Sequence, residues 1–162
     1  MTEVIWNSAF DLLMENEGGF VNNPKDPGGA TKYGVSKKQY PNLDIENLTL
    51  EQAKEICKRD YWYKYKCDRL PDALSVALLD FAYMSKPPRP IKFLQKALGV
   101  TVDGVIGNQT IGAAWSKPLK PVLKEYMDAR LDYYRTLPTW KNFGNGWGKR
   151  IKKVQNFCEG LI

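Results

Sequence analysis

Two carboxyl groups near the start of the chain could carry out acid–base chemistry. Glu17 ends an apolar helical pattern just before Gly18-Gly19, and Asp26 follows nine residues later in a stretch rich in Gly, Pro and Asn. The negative end of the helix dipole and partial burial both disfavour ionisation of Glu17, so its carboxyl group is suited to donate a proton. Asp26 lies in a polar turn and is expected to be ionised. Two carboxyls in opposite protonation states are what cleavage of a glycosidic bond requires.

Thr31 and Tyr33 follow in the same loop. The hydroxyl of Thr31 could orient a water molecule on the far side of a sugar, and Tyr33 is placed beside the carboxyls as a candidate ligand contact. Each residue also has an ordinary structural interpretation. A Glu at a helix end is often a surface charge, Asp-Pro-Gly-Gly often forms a turn, and a Thr hydroxyl often bonds to backbone. The combination is more specific than any one of its members.

The composition narrows the chemistry further. The 162 residues contain no histidine, which excludes Ser-His-Asp and Cys-His catalysis and every histidine-ligated metal site. Cys57, Cys67 and Cys158 form no C-x-x-C pair and are expected to be reduced structural thiols. We therefore expect the protein to use neither a cofactor nor a metal.

The net charge of +6 is unevenly distributed. Residues 1–31 carry one Lys against five acidic residues, whereas residues 86–162 carry fourteen Lys and Arg against five acidic residues, a net charge of +9. Such a basic half indicates attraction to a polyanion, with nucleic acid, an anionic membrane surface and bacterial wall polymers as candidates. The alternative is an ordinary lysine-rich surface.

Helical periodicity dominates the chain and predicts seven or eight helices, with at most a small hairpin near residues 18–35. The fold class is all-α or helix-dominated α+β. The first helix is expected to stop near Gly18, and Ser36 is expected to begin a short helix that ends before Pro41. Thr49-x-x-Gln52 is a capping box that opens a further helix.

The later helices are marked by proline and glycine. Pro71 and Asp72 begin an apolar helix that we expect to be central and buried, and residues 91–98 form one that ends at Gly99. A helix follows Pro121, and the last one is expected to begin at about Gly148. Asp80, inside the apolar helix, requires a partner, most simply a salt bridge.

Glu17, Asp26 and Thr31 stand in the order E-x8-D-x4-T, which is similar to the catalytic pattern of phage-type lysozymes. A wider set of motifs covers nearly the entire chain: Glu17-Gly-Gly-Phe-Val, Asp26-Pro-Gly-Gly-Ala-Thr31-Lys-Tyr-Gly34-Val, Asp60-Tyr61-Trp62, Leu79-Asp80-Phe81-Ala82, Leu94-Gln95-x-Ala-Leu98-Gly99, Val102-Asp103-Gly104-Val-Ile-Gly107 and Leu137-Pro138-Thr-Trp140-x-x-Phe143-Gly-x-Gly146-Trp147. This set resembles glycoside hydrolase family 108, which consists of bacterial and phage N-acetylmuramidases with a lysozyme-like fold.

The resemblance implies a two-lobed, lysozyme-like single domain. Residues 1–85 would form a muramidase catalytic region, and residues 86–162 a helical peptidoglycan-binding region packed into the same globule. Glu17 would protonate the leaving oxygen of the β-1,4 bond between N-acetylmuramic acid and N-acetylglucosamine. Asp26 and Thr31 would stabilise the transition state or hold the attacking water. We expect inversion at the anomeric carbon, which requires carboxyls roughly 6.5–9.5 Å apart.

One motif departs from the family pattern. Members usually read Asp-Phe-Ala-x-Asn-Ser-Gly at the end of the central helix, whereas this chain has Met84 in place of the Asn and Lys86 in place of the Gly. We expect Tyr83, which directly precedes Met84, to contact substrate together with Tyr33. Four tryptophans could stack on sugars or belong to the core: Trp62, Trp115, Trp140 and Trp147.

The resemblance makes peptidoglycan the expected partner, for an endolysin or a related wall-remodelling enzyme. We expect a monomer that does not bind nucleic acid. No basic segment precedes an apolar stretch at the N-terminus, so we expect synthesis in the cytoplasm and action on the cell wall or periplasm after release, with a holin as a candidate for export. Two other readings remain: a wall-binding module without catalysis, and a basic nucleic-acid binder, which leaves the carboxyl-bearing loop unexplained.

Overall fold

The structure is a computed structural model that describes residues 2–15, 21–22 and 29–162. In these ranges the chain forms seven α-helices and three short β-strands. The helices are α1 (Thr2–Met14), α2 (Leu50–Cys57), α3 (Asp72–Ser85), α4 (Arg89–Leu98), α5 (Asn108–Ser116), α6 (Leu119–Arg135) and α7 (Trp140–Glu159). The strands are β1 (Val21–Asn22), β2 (Ala30–Lys32) and β3 (Val35–Ser36). A π-helical turn, Lys58–Tyr63, continues α2, and a 3-10 turn, Cys67–Arg69, precedes α3.

The strands form one antiparallel sheet in the order β1-β2-β3. The connection from β2 to β3 consists of Tyr33 and Gly34, whose φ angles are 53° and 80°. Positive φ at both residues is typical of the type I′ turn, whose twist matches that of a two-stranded ribbon. The sequence predicts at most a hairpin here, and the sheet exceeds it by one strand.

Several boundaries predicted from local patterns are confirmed. Thr49 Oγ1 accepts a hydrogen bond from the Gln52 amide at 3.1 Å, and Gln52 Oε1 accepts one from the Thr49 amide at 2.9 Å, so the capping box begins α2 as predicted. Gly99 ends α4 with a φ of 72°. Pro71 is the residue before α3, whose side chains are almost all buried.

Other boundaries are corrected. Ser36 begins a turn rather than a helix, because its hydroxyl accepts a hydrogen bond from the Gln39 amide and the chain turns again before Pro41. The first helix ends at Met14, earlier than expected. Helix α5 is not predicted at all from the sequence, since its short pattern contains Gly112.

The last helix begins at Trp140, eight residues before the predicted position. Three glycines in the first half of α7 lower its intrinsic helix propensity, which is why the sequence favours a later start. However, Trp140, Phe143 and Trp147 recur at helical spacing, and their rings pack against one another. This contact stabilises the helix across its glycine-rich turns.

Two hydrophobic cores lie within the fold. The larger one surrounds α3, which packs against α1, α4, α6 and α7 and so joins both halves of the sequence. The smaller core lies beneath the sheet and consists of Val35, Ile45, Leu48, Ala53 and Ile56. The predicted helix-dominated fold class is therefore confirmed, with a small lobe beside a large one.

A buried ion cluster connects the three longest helices of the larger core. Asp80 on α3 accepts hydrogen bonds from Arg130 on α6 at 2.7 Å and from Arg150 on α7 at 2.6 Å. The predicted salt bridge is confirmed, and it involves two cations. Nη1 of Arg150 is the buried side-chain atom without a hydrogen-bond partner in the described part of the chain.

The cysteines contribute packing rather than covalent links. Cys57, Cys67 and Cys158 are free and buried, and burial raises the pKa of each thiol above its usual value. Over the described ranges, no group of three or more Cys, Asp or Glu could hold a metal ion. None of the helices described is both long and apolar enough to cross a membrane.

Candidate active site

The described part of the candidate site is the β2–β3 hairpin. Thr31 occupies the middle of β2, where it pairs with Val21 of β1 on one side and with Ser36 of β3 on the other. Glu17 and Asp26 lie outside the described residues, so their pairing stays a prediction. In the sequence, Glu17 precedes Val21 by four residues and Asp26 falls between β1 and β2. Both are therefore joined by short lengths of chain to β1, and Asp26 is also joined to β2, the strand that carries Thr31.

Tyr83 supports the turn of this hairpin from below. Its side chain is only 4% exposed, and its hydroxyl donates a hydrogen bond to the backbone carbonyl of Tyr33 at 2.7 Å. A Cβ atom built on Gly34 would lie 2.4 Å from Cε2 of Tyr83. The turn therefore lies directly on the Tyr83 ring, and helix α3 fixes the position of the hairpin. We find Tyr83 beneath the turn, and the prediction that it contacts substrate is not tested by this position.

A second layer of aromatic and polar side chains extends from Tyr83. The ring of Tyr61 packs edge-on against Tyr83 with centroids 4.8 Å apart. The Tyr61 hydroxyl accepts hydrogen bonds from Lys86 Nζ at 2.6 Å and from Gln39 Nε2 at 3.1 Å. Gln39 also donates its amide to Ser36, the strand partner of Thr31. This chain of contacts connects the end of α3 to the hairpin.

Asp60 is held as a carboxylate at the side of this layer. Arg59 donates to it at 2.7 Å, and the Tyr40 hydroxyl donates to it at 2.6 Å. The hydrogen bond from Arg59 lowers the pKa of Asp60, a shift that partial burial opposes and the Tyr40 hydrogen bond reinforces. Burial, together with the Asp60 carboxylate, raises the pKa of Tyr40. At neutral pH the pair is a carboxylate and a neutral phenol, and both are already engaged with each other.

These side chains surround an open cavity of about 340 Å³, whose walls include Gln39, Tyr40, Asp60, Tyr61, Lys64 and Lys86. An adjoining cavity of about 400 Å³ shares Lys86 and Pro87 and adds Arg89 and Lys92. The two cavities together form a groove past the end of α3. We refer to it as the Lys86 groove.

Comparison with known proteins shows which families and structures this chain is similar to. A family model described as Glycosyl hydrolase 108 matches residues 10–85, and one described as Predicted Peptidoglycan domain matches residues 89–152. The solved structure of Brucella abortus SagA is 35% identical and covers 98% of this chain and 96% of its own, with a TM-score of 0.87. The chain belongs to glycoside hydrolase family 108. No curated protein sequence matched it.

Membership of family 108 confirms the resemblance and the lysozyme-like fold that it implies. The family makes this protein a glycoside hydrolase, and the second match gives it a peptidoglycan-binding segment. A role in peptidoglycan hydrolysis or binding follows from the two matches together. The first match spans Glu17, Asp26, Thr31, Tyr33 and Tyr83, whereas the second covers most of the basic half.

The sequence did not reveal the Lys86 groove of this family 108 protein. Its walls come from segments up to 54 residues apart, and no local pattern brings Gln39 to Lys86. One signal was available: Lys86 stands where family members usually have glycine. The structure gives Lys86 a φ of 61° and a ψ of 135°, a conformation that side chains rarely adopt.

The tryptophans divide between core and surface. Trp62 is 1% exposed and belongs to the core, so it cannot stack on a sugar. Trp115 is 66% exposed, and its indole N–H donates to the Arg69 carbonyl at 2.9 Å. On α7, Phe143 is exposed and stacks on the half-buried Trp147 with an interplanar angle of 26°. The peptidoglycan-binding half of this family 108 protein thus presents aromatic surface.

Proposed function

We propose that this family 108 protein is an N-acetylmuramidase. It cleaves the β-1,4 bond between N-acetylmuramic acid and N-acetylglucosamine in peptidoglycan. The observation that carries the proposal is the family match over residues 10–85, because it contains Glu17, Asp26 and Thr31 in one continuous segment. The anchored hairpin supports it, since Thr31 occupies the middle strand and pairs with β1, the strand whose two ends lead to Glu17 and Asp26 in the sequence.

In the proposed mechanism, Glu17 donates its proton to the leaving oxygen of the glycosidic bond. The Asp26 carboxylate stabilises the positive charge that develops on the sugar, and the Thr31 hydroxyl orients the attacking water. The water then forms the new bond to the anomeric carbon as the bond to the leaving oxygen breaks, and its proton passes to the Asp26 carboxylate. Exchange with solvent afterwards restores the protonated Glu17 and the ionised Asp26. We propose that water attacks from the opposite face and that the configuration is inverted.

Tyr83 is a positioning residue in this mechanism. Its hydroxyl and ring fix the turn that follows Thr31. Displacement of a catalytic group by about 1 Å can lower a rate by about a hundredfold. A rigid helix beneath a short hairpin therefore suits the task of holding Thr31 in place.

The test compares wild type with Glu17→Gln on purified peptidoglycan. We expect wild type to release fragments that carry reducing N-acetylmuramic acid, identified by mass analysis after borohydride reduction. Loss of a general acid lowers the rate by about 10²–10⁴-fold, so Glu17→Gln is expected to be nearly inactive. Glu15→Gln is the matched control, because it makes the same chemical change two residues away. Glu15 forms an exposed ion pair with Lys153.

The outcomes separate the competing assignments. Fragments with reducing N-acetylglucosamine would identify a glucosaminidase instead. Equal release by wild type and Glu17→Gln would mean that another group is the acid.

A second candidate function is wall binding without catalysis, favoured by the match over residues 89–152. In that case neither wild type nor Glu17→Gln would release fragments, while both would sediment with insoluble peptidoglycan. We propose that either activity is exercised on the wall after the protein leaves the cytoplasm.

A further inference from the structure

Lys86 ends α3 in a conformation that favours glycine. Its φ of 61° and ψ of 135° lie where a Cβ atom is crowded by its own backbone. The residue that adopts this unfavourable conformation has a side chain that lines two cavities rather than the core. Strained residues of this kind concentrate at ligand sites, because only a function compensates for the strain.

The ammonium group of Lys86 is held in place but incompletely satisfied. Nζ donates to the Tyr61 hydroxyl at 2.6 Å and lies 4.8 Å and 4.9 Å from the ring centroids of Tyr61 and Tyr83. Of its three N–H bonds, the described residues accept one. The two ring faces attract the cation without using its remaining donors. The group is therefore fixed in direction and able to bind an anion in the groove.

The charges around the Lys86 groove favour an anion. Lys64, Arg89 and Lys92 line it together with Lys86. The acidic residue in the wall is Asp60, whose two oxygens already accept hydrogen bonds from Arg59 and Tyr40. Among the described residues, an anion entering the groove would meet four cations and one carboxylate that is already paired.

The groove lies close to the strand that carries Thr31. Gln39 donates its side-chain amide to Tyr61, the same hydroxyl that binds Lys86, and its backbone amide to Ser36. Ser36 is the strand partner of Thr31. A substrate bound at the hairpin would therefore have its neighbouring groups within reach of the groove.

Peptidoglycan chemistry identifies the anion. In peptide-bearing glycan the carboxyl group of each muramic acid forms the amide bond to the stem peptide, so the sugars carry no charge and the free carboxylates lie on the peptide. A cationic groove contributes nothing to the recognition of the bare strand. We propose that the Lys86 groove binds a carboxylate of the stem peptide and that Lys86 makes the enzyme prefer peptide-bearing glycan. This proposal rests on the muramidase function proposed above.

The experiment measures kcat and KM on two substrates freed of phosphate-containing wall polymers. One is peptidoglycan solubilised with its stem peptides, and the other is the same glycan after an amidase has removed them. The muramic acid carboxylates that the amidase uncovers are converted to amides, so that the stripped glycan carries no charge. Lys86→Gly removes the charge and relieves the backbone strain, so a loss of activity cannot be attributed to a less stable backbone. We expect its KM on the peptide-bearing substrate to rise about tenfold, as for one lost charge-assisted contact, with kcat unchanged. On stripped glycan, the kcat and KM of Lys86→Gly should equal those of wild type.

Two further variants serve as controls. Lys86→Arg keeps the cation and is expected to retain the preference for peptide-bearing glycan. Arg69→Gln removes one exposed charge from the 3-10 turn before α3, outside the groove and outside the peptidoglycan-binding segment, and is expected to leave both KM values unchanged.

Three results would overturn the proposal. Equal KM ratios for Lys86→Gly and wild type would show that the groove does not bind the peptide. Equal losses on both substrates would show that Lys86 acts by supporting Tyr83 and the hairpin. A loss that appears only when phosphate polymers are left on the wall would make phosphate the ligand. Failure of the muramidase function is distinct, because wild type would then cleave neither substrate.

Discussion

At the scale of single residues, Gly34 is the position where one added methyl group would disturb the site. An alanine there would need a φ near 80° and would place its Cβ 2.4 Å from the Tyr83 ring. Gly99 is the matched control, because its φ is 72° but no atom lies within 4 Å of the added Cβ. We expect Gly99→Ala to cost about 1–2 kcal/mol of unfolding free energy from φ alone.

Gly34→Ala is expected to cost about 1–3 kcal/mol more, because the close contact forces the turn or the ring to move. Release of muropeptides by Gly34→Ala should also fall, whereas Gly99→Ala should retain wild-type activity at temperatures where it is folded. Urea unfolding followed by circular dichroism gives the free energies. Equal free energies for the two variants would mean that the turn accommodates the methyl group and that Tyr83 does not hold it tightly.

The sequence predicts candidate chemical residues but not the residues that support them. Glu17, Asp26 and Thr31 stay a prediction, which rests on their spacing along the chain. The contact between Tyr83 and Tyr33 joins residues 50 positions apart, and nothing in the local sequence specifies it. The positive φ of Tyr33 is equally hidden, because Asn, Asp and Gly are the residues that normally mark such a turn.

At the scale of elements, predictions succeeded where a boundary is determined locally. The capping box of α2 uses two side chains three residues apart, so the sequence contains the whole structure. The start of α7 depends on ring packing that offsets the poor helix propensity of glycine. Ser36 looked like a helix cap, yet the residues after it turn to reach Tyr61 and Asp60 on another element. Both predictions failed because tertiary contacts, and not the local sequence, determine the structure at these two places.

The ion cluster that joins α3, α6 and α7 gives a prediction for this scale. Asp80→Asn removes the anion and leaves two buried cations without a counter-charge, which should cost about 3–5 kcal/mol of unfolding free energy. Arg150→Met should cost less, because it leaves a neutral Asp80–Arg130 pair and removes the atom that has no hydrogen-bond partner. Urea unfolding at pH 7 measures both. The reverse order would mean that Arg150, and not Asp80, is the centre of the cluster.

The stability of Asp80→Asn also has a characteristic pH dependence. Burial favours a raised pKa for Asp80, but the charges of Arg130 and Arg150 outweigh it, and the pKa of the folded carboxyl lies below its usual value. The unfolded chain therefore takes up a proton at a higher pH than the folded one. The stability contributed by Asp80 is complete above about pH 4 and is lost as the pH falls through the folded pKa. Between pH 5 and pH 3, the free energy of unfolding of Asp80→Asn should decline less steeply with falling pH than that of wild type. The difference between the two slopes corresponds to about one bound proton at most.

At the scale of the whole molecule, two family matches correspond to one folded unit. The matches divide the sequence at about residue 86, but α3 from the first part packs against α4, α6 and α7 from the second. The exposed pair Glu15–Lys153 and the buried cluster of Asp80 also cross this division. Helical periodicity was sufficient to predict the fold class, because each helix has an apolar face. It could not show that one helix, α3, lies at the centre of the shared core.

This shared core predicts a single cooperative unfolding transition. Separation of the halves would expose the leucines of α3, so neither half should remain folded when the other unfolds. Tryptophans provide reporters for each half: Trp6 and Trp62 are buried in the first, and Trp147 lies in the second. One variant keeps only Trp6 and Trp62, and another keeps only Trp147. Loss of the buried Trp6 and Trp62 lowers the stability of the second variant, so each variant is compared with itself. In each variant we expect two reporters, tryptophan fluorescence and circular dichroism, to give the same urea midpoint. Midpoints that differ between reporters within one variant would show that the peptidoglycan-binding half folds independently of the catalytic half.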